Sequence, residues 1–259
     1  MKIIRVKARN PFGRTKIPGA SFVINQYIGC GHGCKYCYAR FMCRFYDYGE
    51  WGEWVIVREN LPELIRGRFV NGWVYMSSIS DAYQPIEAEI KLTRRILQNM
   101  NRNIRLRVLT KSDLVLRDLD LFREFRFMEV GLTINSFDEG LRRKIEPNAP
   151  SMEKRFKALK KLHDAGIRNY GFISPVIPTL TDLEYIIEQT KDFVGYYIIE
   201  FLNLKASGAF RFWLKENYPK SFEILINKSM LGRVVSNVHR ILARHRVMVR
   251  GIIVHPQSL

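Results

Sequence analysis

Gly29-Cys-Gly-His-Gly-Cys-Lys-Tyr-Cys-Tyr-Ala-Arg40 is the stretch that decides how this chain is to be read. Cys30, Cys34 and Cys37 stand at C-x3-C-x2-C spacing, with three glycines set before and between them. Such a loop can curl until three thiolates converge while its backbone approaches closely. The count is informative. A structural zinc site takes four ligands and closes. Three thiolates on an iron–sulfur cluster leave one iron open for another ligand. His32 could complete a four-ligand zinc set by composition, but inside the loop it is expected to support the site rather than ligate. Cys43, six residues beyond Cys37, is expected to be a packed small apolar side chain, as free cysteines usually are.

Working outward, Ser21–Gln26 has the apolar character of a strand and runs straight into the loop, and Tyr38–Tyr48 follows with an apolar face at helical spacing. Further strands are predicted at Trp73–Ser78, Arg105–Leu109, Phe127–Ile134, Tyr170–Ile177 and Tyr196–Leu202. Helices are predicted at Asn60–Phe69, Ile86–Asn99, Asp113–Phe125, Ser151–Ala165 and Asp182–Phe193. Six strands alternating with helices is the parallel α/β pattern, and six units fall short of the eight that close a full barrel. The fold expected is therefore α/β, a partial (β/α)6 TIM-type barrel with a lateral mouth. Chemistry in such sheets sits at the carboxyl ends of the strands. The cysteine loop, Ser80-Asp81, Lys111-Ser112, Asn135-Ser136 and Pro175 each follow a predicted strand. Residues 1–20 form a basic N-terminal arm, residues 21–202 the barrel core, and residues 203–259 a basic helical C-terminal extension packed on that core. The extension includes a helix over Met230–Arg244 and a last strand over Val247–Val254.

With 259 residues and 47% hydrophobic side chains, the chain can bury one large core. No apolar run is long enough to span a membrane and no signal-peptide core opens the chain, so a cytoplasmic location is expected. Four clustered cysteines do not make a disulfide framework. The net charge of +17 is uneven: residues 1–50 hold nine basic and two acidic side chains, and residues 201–259 hold ten and two. A basic solvated surface would account for this, but the sharper expectation is a polyanionic partner, DNA or RNA.

The cysteine loop, with an aromatic just before its last cysteine, resembles the signature of the radical S-adenosylmethionine superfamily. Together with Asn25-Gln-Tyr-Ile28, Ser80-Asp-Ala-Tyr-Gln-Pro-Ile-Glu87, Thr110-Lys-Ser112 and Ile145-Glu-Pro147, it is similar to the spore photoproduct lyase-like (DNA repair photolyase-like) family, from about residue 20 to about residue 220. That resemblance implies a 4Fe–4S cluster on Cys30, Cys34 and Cys37, S-adenosylmethionine at the open iron, and an external electron donor such as ferredoxin or flavodoxin. It implies cleavage of the sulfonium to a 5′-deoxyadenosyl radical that abstracts hydrogen from substrate. By position it makes Ser80 and Asp81 ligands of the methionine part, Lys111 the partner of its carboxylate, and Ser136 a further hydrogen-bonding residue. Tyr36 falls beside the adenine and Tyr38 takes the place of a hydrogen-transfer tyrosine. One departure stands out. Where the family's lyase has a hydrogen-donor cysteine shortly before its Ser-Asp pair, this chain has Ser78. Repair of the spore photoproduct itself is therefore not expected, and another nucleic-acid substrate is. The readings left beside it are a peptide or small-molecule substrate, and a non-catalytic iron–sulfur protein that binds nucleic acid.

Overall fold

Val74, Met76, Leu106, Val108, Val130, Leu132 and Ile134 are all sealed from solvent, every second residue along three adjoining strands. Alternation of that kind fixes which face of a strand packs on helices and which looks inward. The structure, a computed structural model, describes residues 1–256. In chain order its elements begin with strands β1 (Lys2–Val6), β2 (Gly13–Arg14), β3 (Phe22–Ile24), β4 (Tyr27–Ile28) and β5 (Trp54–Arg58), then helix α1 (Leu61–Ile65) and β6 (Trp73–Met76). Next come α2 (Glu87–Ile90), α3 (Leu92–Asn99), β7 (Arg105–Thr110), α4 (Leu119–Phe122), β8 (Phe127–Ile134), α5 (Glu139–Ile145), α6 (Met152–Asp164) and β9 (Asn169–Val176). The chain closes with α7 (Leu183–Thr190), β10 (Tyr197–Phe201), α8 (Phe210–Asn217), α9 (Pro219–Ile226), α10 (Lys228–His245) and β11 (Val249–Ile253).

The main sheet runs β11-β10-β9-β8-β7-β6-β3-β2. The six expected strands, β3 and β6 to β10, are all present and pair in parallel in chain order. The last strand expected in the C-terminal extension joins them as a seventh parallel strand, β11 beside β10. At the other edge, β2 pairs antiparallel with β3. The sheet is thus an open partial barrel whose two edges come from the two basic ends of the chain.

Several elements differ from the sequence expectation. Residues 2–6, expected as an extended arm, form β1, which lies parallel to β5 in a second sheet of order β1-β5-β4. The helix expected over Tyr38–Tyr48 is a 3-10 turn over Tyr38–Arg44. The helix expected over Ile86–Asn99 breaks at Lys91, whose φ of 54° ends α2 before α3 begins.

At the amino end of the barrel, Glu129 is buried and takes Arg107 at 2.7 Å, Arg250 at 3.2 Å and the Tyr196 hydroxyl at 2.9 Å. Burial works against its charge, but the Arg107 contacts outweigh it and hold the carboxyl below its usual range. Above this plug the Tyr170 and Tyr196 rings stack at 5.1 Å. Gly131 has no side chain because the Tyr170 ring occupies that space; a Cβ there would fall 2.2 Å from it. The base is therefore filled, and openings to the interior are left to the carboxyl end. Among the described residues, no helix is long and apolar enough to cross a membrane.

Candidate active site

The cysteine loop leaves β4 at Gly29, whose φ is +84° and whose α-carbon faces Trp54 so closely that a Cβ would lie 2.5 Å from the Trp54 carbonyl oxygen. Only glycine passes there without strain. Beyond it the backbone folds as successive tight turns: Gly33 N–H donates to the Cys30 carbonyl, Cys37 N–H to Cys34 and Arg40 N–H to Cys37, each at 3.2 Å. Two clamps hold the loop. From the β6 side, Gln84 Oε1 accepts from Gly31 N–H at 2.7 Å, while Ser80 Oγ donates to the Gly29 carbonyl at 2.7 Å and accepts from Gln84 Nε2 at 2.8 Å. From the far side, Asn148 Nδ2 donates to the Gly31 carbonyl at 2.9 Å and Lys35 N–H donates to the Ile145 carbonyl at 2.8 Å.

All three cysteines are free, and their thiols are pushed up chiefly by burial; Cys34 reaches about 12. Asp81 and the neighbouring sulfurs add to the shift at Cys30. Buried thiols with one another's charge in range release their protons only when a metal replaces that positive charge. Three buried free thiols are one ligand short of a closed structural zinc site and suit a cluster that keeps one iron open. One further observation fits a cluster. Trp51 packs on Cys30 with Cys37 and Cys43 beside it, and its indole N–H is buried with no acceptor. Such a donor costs about 1–3 kcal/mol if left unmet. A cluster sulfide is an acceptor of the right kind beside those cysteines.

Asp81 is a buried junction. Its Oδ1 accepts from Tyr83 N–H at 2.8 Å and from Thr110 Oγ1 at 2.5 Å, and its Oδ2 accepts from Lys111 N–H at 2.9 Å. His32 Nε2 stands 3.2 Å from Oδ2, close enough for charge attraction but out of line for a hydrogen bond. Burial opposes ionisation of Asp81, yet His32 and these donors prevail and hold it at about 2. His32 Nδ1 meets the Asn148 carbonyl at 3.2 Å, so the histidine bridges the two clamps, the supporting place expected for it. Lys111, at the end of β7, lies 5.6 Å from the Tyr36 ring centroid. Burial works against its charge, but Cys34 and Glu146 overcome that and raise it. Tyr36 donates its hydroxyl to Glu146 and packs edge-on against Phe210 at 5.9 Å. Glu146 is fully buried and also accepts from Arg155. The burial cost is outweighed by Arg155 and Lys111, which hold it at about 2.

The structure thus brings Cys30, Cys34, Cys37, Tyr36, Ser80, Asp81 and Lys111 around one place. Ser136 lies two residues beyond β8 with its Oγ accepting from Asp182 N–H at 2.6 Å, a contact with the start of α7. Tyr38 is 52% exposed and donates its hydroxyl to the Ser78 carbonyl. The rest of the Ser80–Glu87 motif is scaffold: Tyr83 donates to Asp118 at 3.1 Å, and Glu87 takes the Tyr27 hydroxyl at 2.5 Å and Arg117 at 2.6 Å. Trp51 and the acidic role of Glu146 escape the sequence, because only the tertiary fold brings them to the cysteines.

A thiol loop and a cationic strand end meet at the carboxyl face of an open parallel barrel, an arrangement that suits a radical S-adenosylmethionine enzyme. Residues 24–189 match the Radical SAM superfamily, and the chain belongs to it. Its cofactors are accordingly a 4Fe–4S cluster and S-adenosylmethionine. The chain is 56% identical over 98% of both sequences to "Uncharacterized protein MJ0683" of Methanocaldococcus jannaschii. It is 26% identical to "Uncharacterized protein Rv2578c" of Mycobacterium tuberculosis, over 90% of this chain and 75% of the other. Among solved structures, spore photoproduct lyase complexed with dinucleoside spore photoproduct superposes with a TM-score of 0.68 at 17% identity, over 96% of this chain and 81% of that one. Streptococcus suis SuiB bound to its precursor peptide SuiA gives 0.50 at 10% identity, over 97% and 48%.

Proposed function

We propose that this radical S-adenosylmethionine enzyme abstracts hydrogen from a nucleic acid, DNA or RNA, in a repair or modification reaction in the cytoplasm. The observation that carries the nucleic-acid reading is the sheet's construction. Its two edges, β2 and β11, come from residues 1–20 and 203–259, and the chain segments that hold them carry most of the +17 charge. Both edges flank the lateral opening, so a polyanion reaching the barrel interior passes between basic walls. The likeness to a lyase bound to a dinucleoside supports the same reading.

Cys30, Cys34 and Cys37 would hold the cluster, which when bound would supply the electron for reductive cleavage of the sulfonium. The remaining roles belong to the chain. Lys111 pairs with the carboxylate of S-adenosylmethionine, Ser80 and Asp81 line the methionine part, Tyr36 lies beside the adenine and Ser136 adds a hydrogen bond. Tyr38, half-exposed beside the loop, would be the residue placed to relay hydrogen to a substrate. With Ser78 where a donor thiol would stand, the final hydrogen comes from elsewhere, which sets this reaction apart from spore photoproduct repair. Electrons arrive from an external donor such as ferredoxin or flavodoxin.

Anaerobic reconstitution with dithionite and S-adenosylmethionine should yield 5′-deoxyadenosine, and Cys30→Ala should lose both iron and product while Cys43→Ala keeps both. Binding of labelled DNA and tRNA across a salt series should weaken steeply as salt rises. A flat response would remove phosphate contacts from the account.

A further inference from the structure

On β10, Tyr197, Ile199 and Phe201 are sealed against the helix layer, so Ile198 and Glu200 between them face the barrel interior. Glu200 sits at the carboxyl end of its strand, the end at which the cysteine loop lies. Groups from both neighbouring strands converge on its carboxylate. Ser174 Oγ, from β9, donates to Oε2 at 3.0 Å, and His255 Nε2, just beyond β11, meets Oε1 at 3.0 Å. Its negative charge reaches the hydroxyls of Tyr38 and Tyr75 and helps to raise both, after burial, so the carboxylate shares the barrel interior with them. The cofactor-side tyrosine, Tyr36, has different partners: Glu146, Phe210 and Lys111. Glu200 therefore belongs to the space in front of Tyr38, where a substrate would sit.

A carboxylate carries about four acceptor positions. Ser174 and His255 take one on each oxygen and fix the plane of the group. Among the described residues no other donor reaches the carboxylate, which leaves acceptor capacity on both oxygens in a partly dry interior. The chemical match is a pair of adjacent N–H donors on one planar edge. Thymine and uracil offer one N–H between two carbonyls, which the carboxylate repels. Adenine and cytosine place a ring acceptor beside their amine. Guanine, with N1–H next to its N2 amine, presents two donors together. An arginine guanidinium does as well, but a chain of net charge +17 repels cationic peptides and attracts polyanions.

We infer that Glu200, oriented by Ser174 and His255, selects a guanine base at the barrel mouth, making guanine-containing nucleic acid the substrate class. Glu200 is a specificity residue and takes no part in the radical step. The inference rests on the nucleic-acid reading above, and one experiment separates the two. Holoenzyme is titrated at fixed salt with fluorescent thymine-tract oligonucleotides carrying one central guanine, hypoxanthine, adenine or thymine. The guanine oligonucleotide should bind about tenfold tighter than the all-thymine one, and hypoxanthine, which lacks the N2 amine, should fall between. Glu200→Gln should erase the guanine advantage while leaving the all-thymine Kd unchanged, which also shows that the variant is folded. Equal binding of all four, or an advantage that survives Glu200→Gln, overturns the inference alone. Failure of every oligonucleotide to bind, or tighter binding of an arginine peptide, overturns the nucleic-acid reading and the inference with it.

Discussion

Glu146 offers a quantitative test of how the site is built. Its carboxylate and the Arg155 guanidinium are both sealed from solvent, and Glu146 also takes the Tyr36 hydroxyl. Glu146→Gln keeps the shape and removes the charge, leaving a buried guanidinium whose other acceptors are the Pro150 and Thr133 carbonyls at 3.0 and 3.1 Å. Breaking one side of a buried pair costs about 3–5 kcal/mol. Proton linkage gives a similar size independently. Lowering the carboxyl from 4.5 to about 2 corresponds to about 3 kcal/mol of native-state preference for the ionised form. Because the folded state holds the lower value, this stability is fully present above about pH 4.5 and is lost as pH falls toward about 2. Urea unfolding at neutral pH should therefore show the variant weaker by about 3 kcal/mol, with Tm lower by about 6–12 °C for a chain of this size. The gap between wild type and variant should close as pH is taken below 4.5. A neutral-pH loss under about 1 kcal/mol, or a gap that ignores acid, would refute the claim that this pair stabilises the site.

Trp51→Phe removes the unmet indole donor without emptying the packing around Cys30. The cluster should be retained, but its reduction potential should fall by about 40 mV, the one-electron equivalent of about 1 kcal/mol, because the reduced cluster accepts the stronger hydrogen bond. An EPR-monitored redox titration reads this, and an unchanged potential would place the donor elsewhere. Gly29→Ala drives a Cβ to 2.5 Å from the Trp54 carbonyl at a φ of +84°. Iron content after reconstitution should drop severely while far-ultraviolet circular dichroism stays native; full iron loading would show that the loop tolerates a shifted entry.

The barrel was legible because its strands are short segments rich in Val, Ile, Leu and aromatic residues that recur between helical patterns. The cysteine loop was legible because its ligands lie within eight residues. What stayed hidden depends on partners distant in sequence. Lys2–Val6 mixes basic and apolar residues without strict alternation and becomes β1 through its pairing with β5. Trp54–Arg58 carries the aromatic and β-branched run of a strand, but it pairs with β1 and β4 in a second sheet outside the alternating strand–helix order. The seven residues of α5 carry four charges and offer little apolar periodicity. Glu200, Ser174 and His255 span more than eighty positions, and no spacing rule joins them. Ser80 and Asp81 were picked out by position, yet their visible contacts also fasten the cysteine loop and the β7 end, a structural duty that sequence alone does not disclose.

The clamps on the cysteine loop also set an order of assembly. Gly31 is held by Gln84, made 53 residues later, and by Asn148, made 117 residues later. The thiol loop is synthesised early and completed late. While the chain is being made, the three cysteines are exposed, unclamped and able to bind any soft metal or be oxidised. Iron–sulfur delivery that begins before residue 148 has emerged would meet a loop lacking its far wall. Maturation of this enzyme is thus tied to the fold of its middle third, and slowing translation between residues 40 and 148 should lengthen the window in which the wrong metal enters.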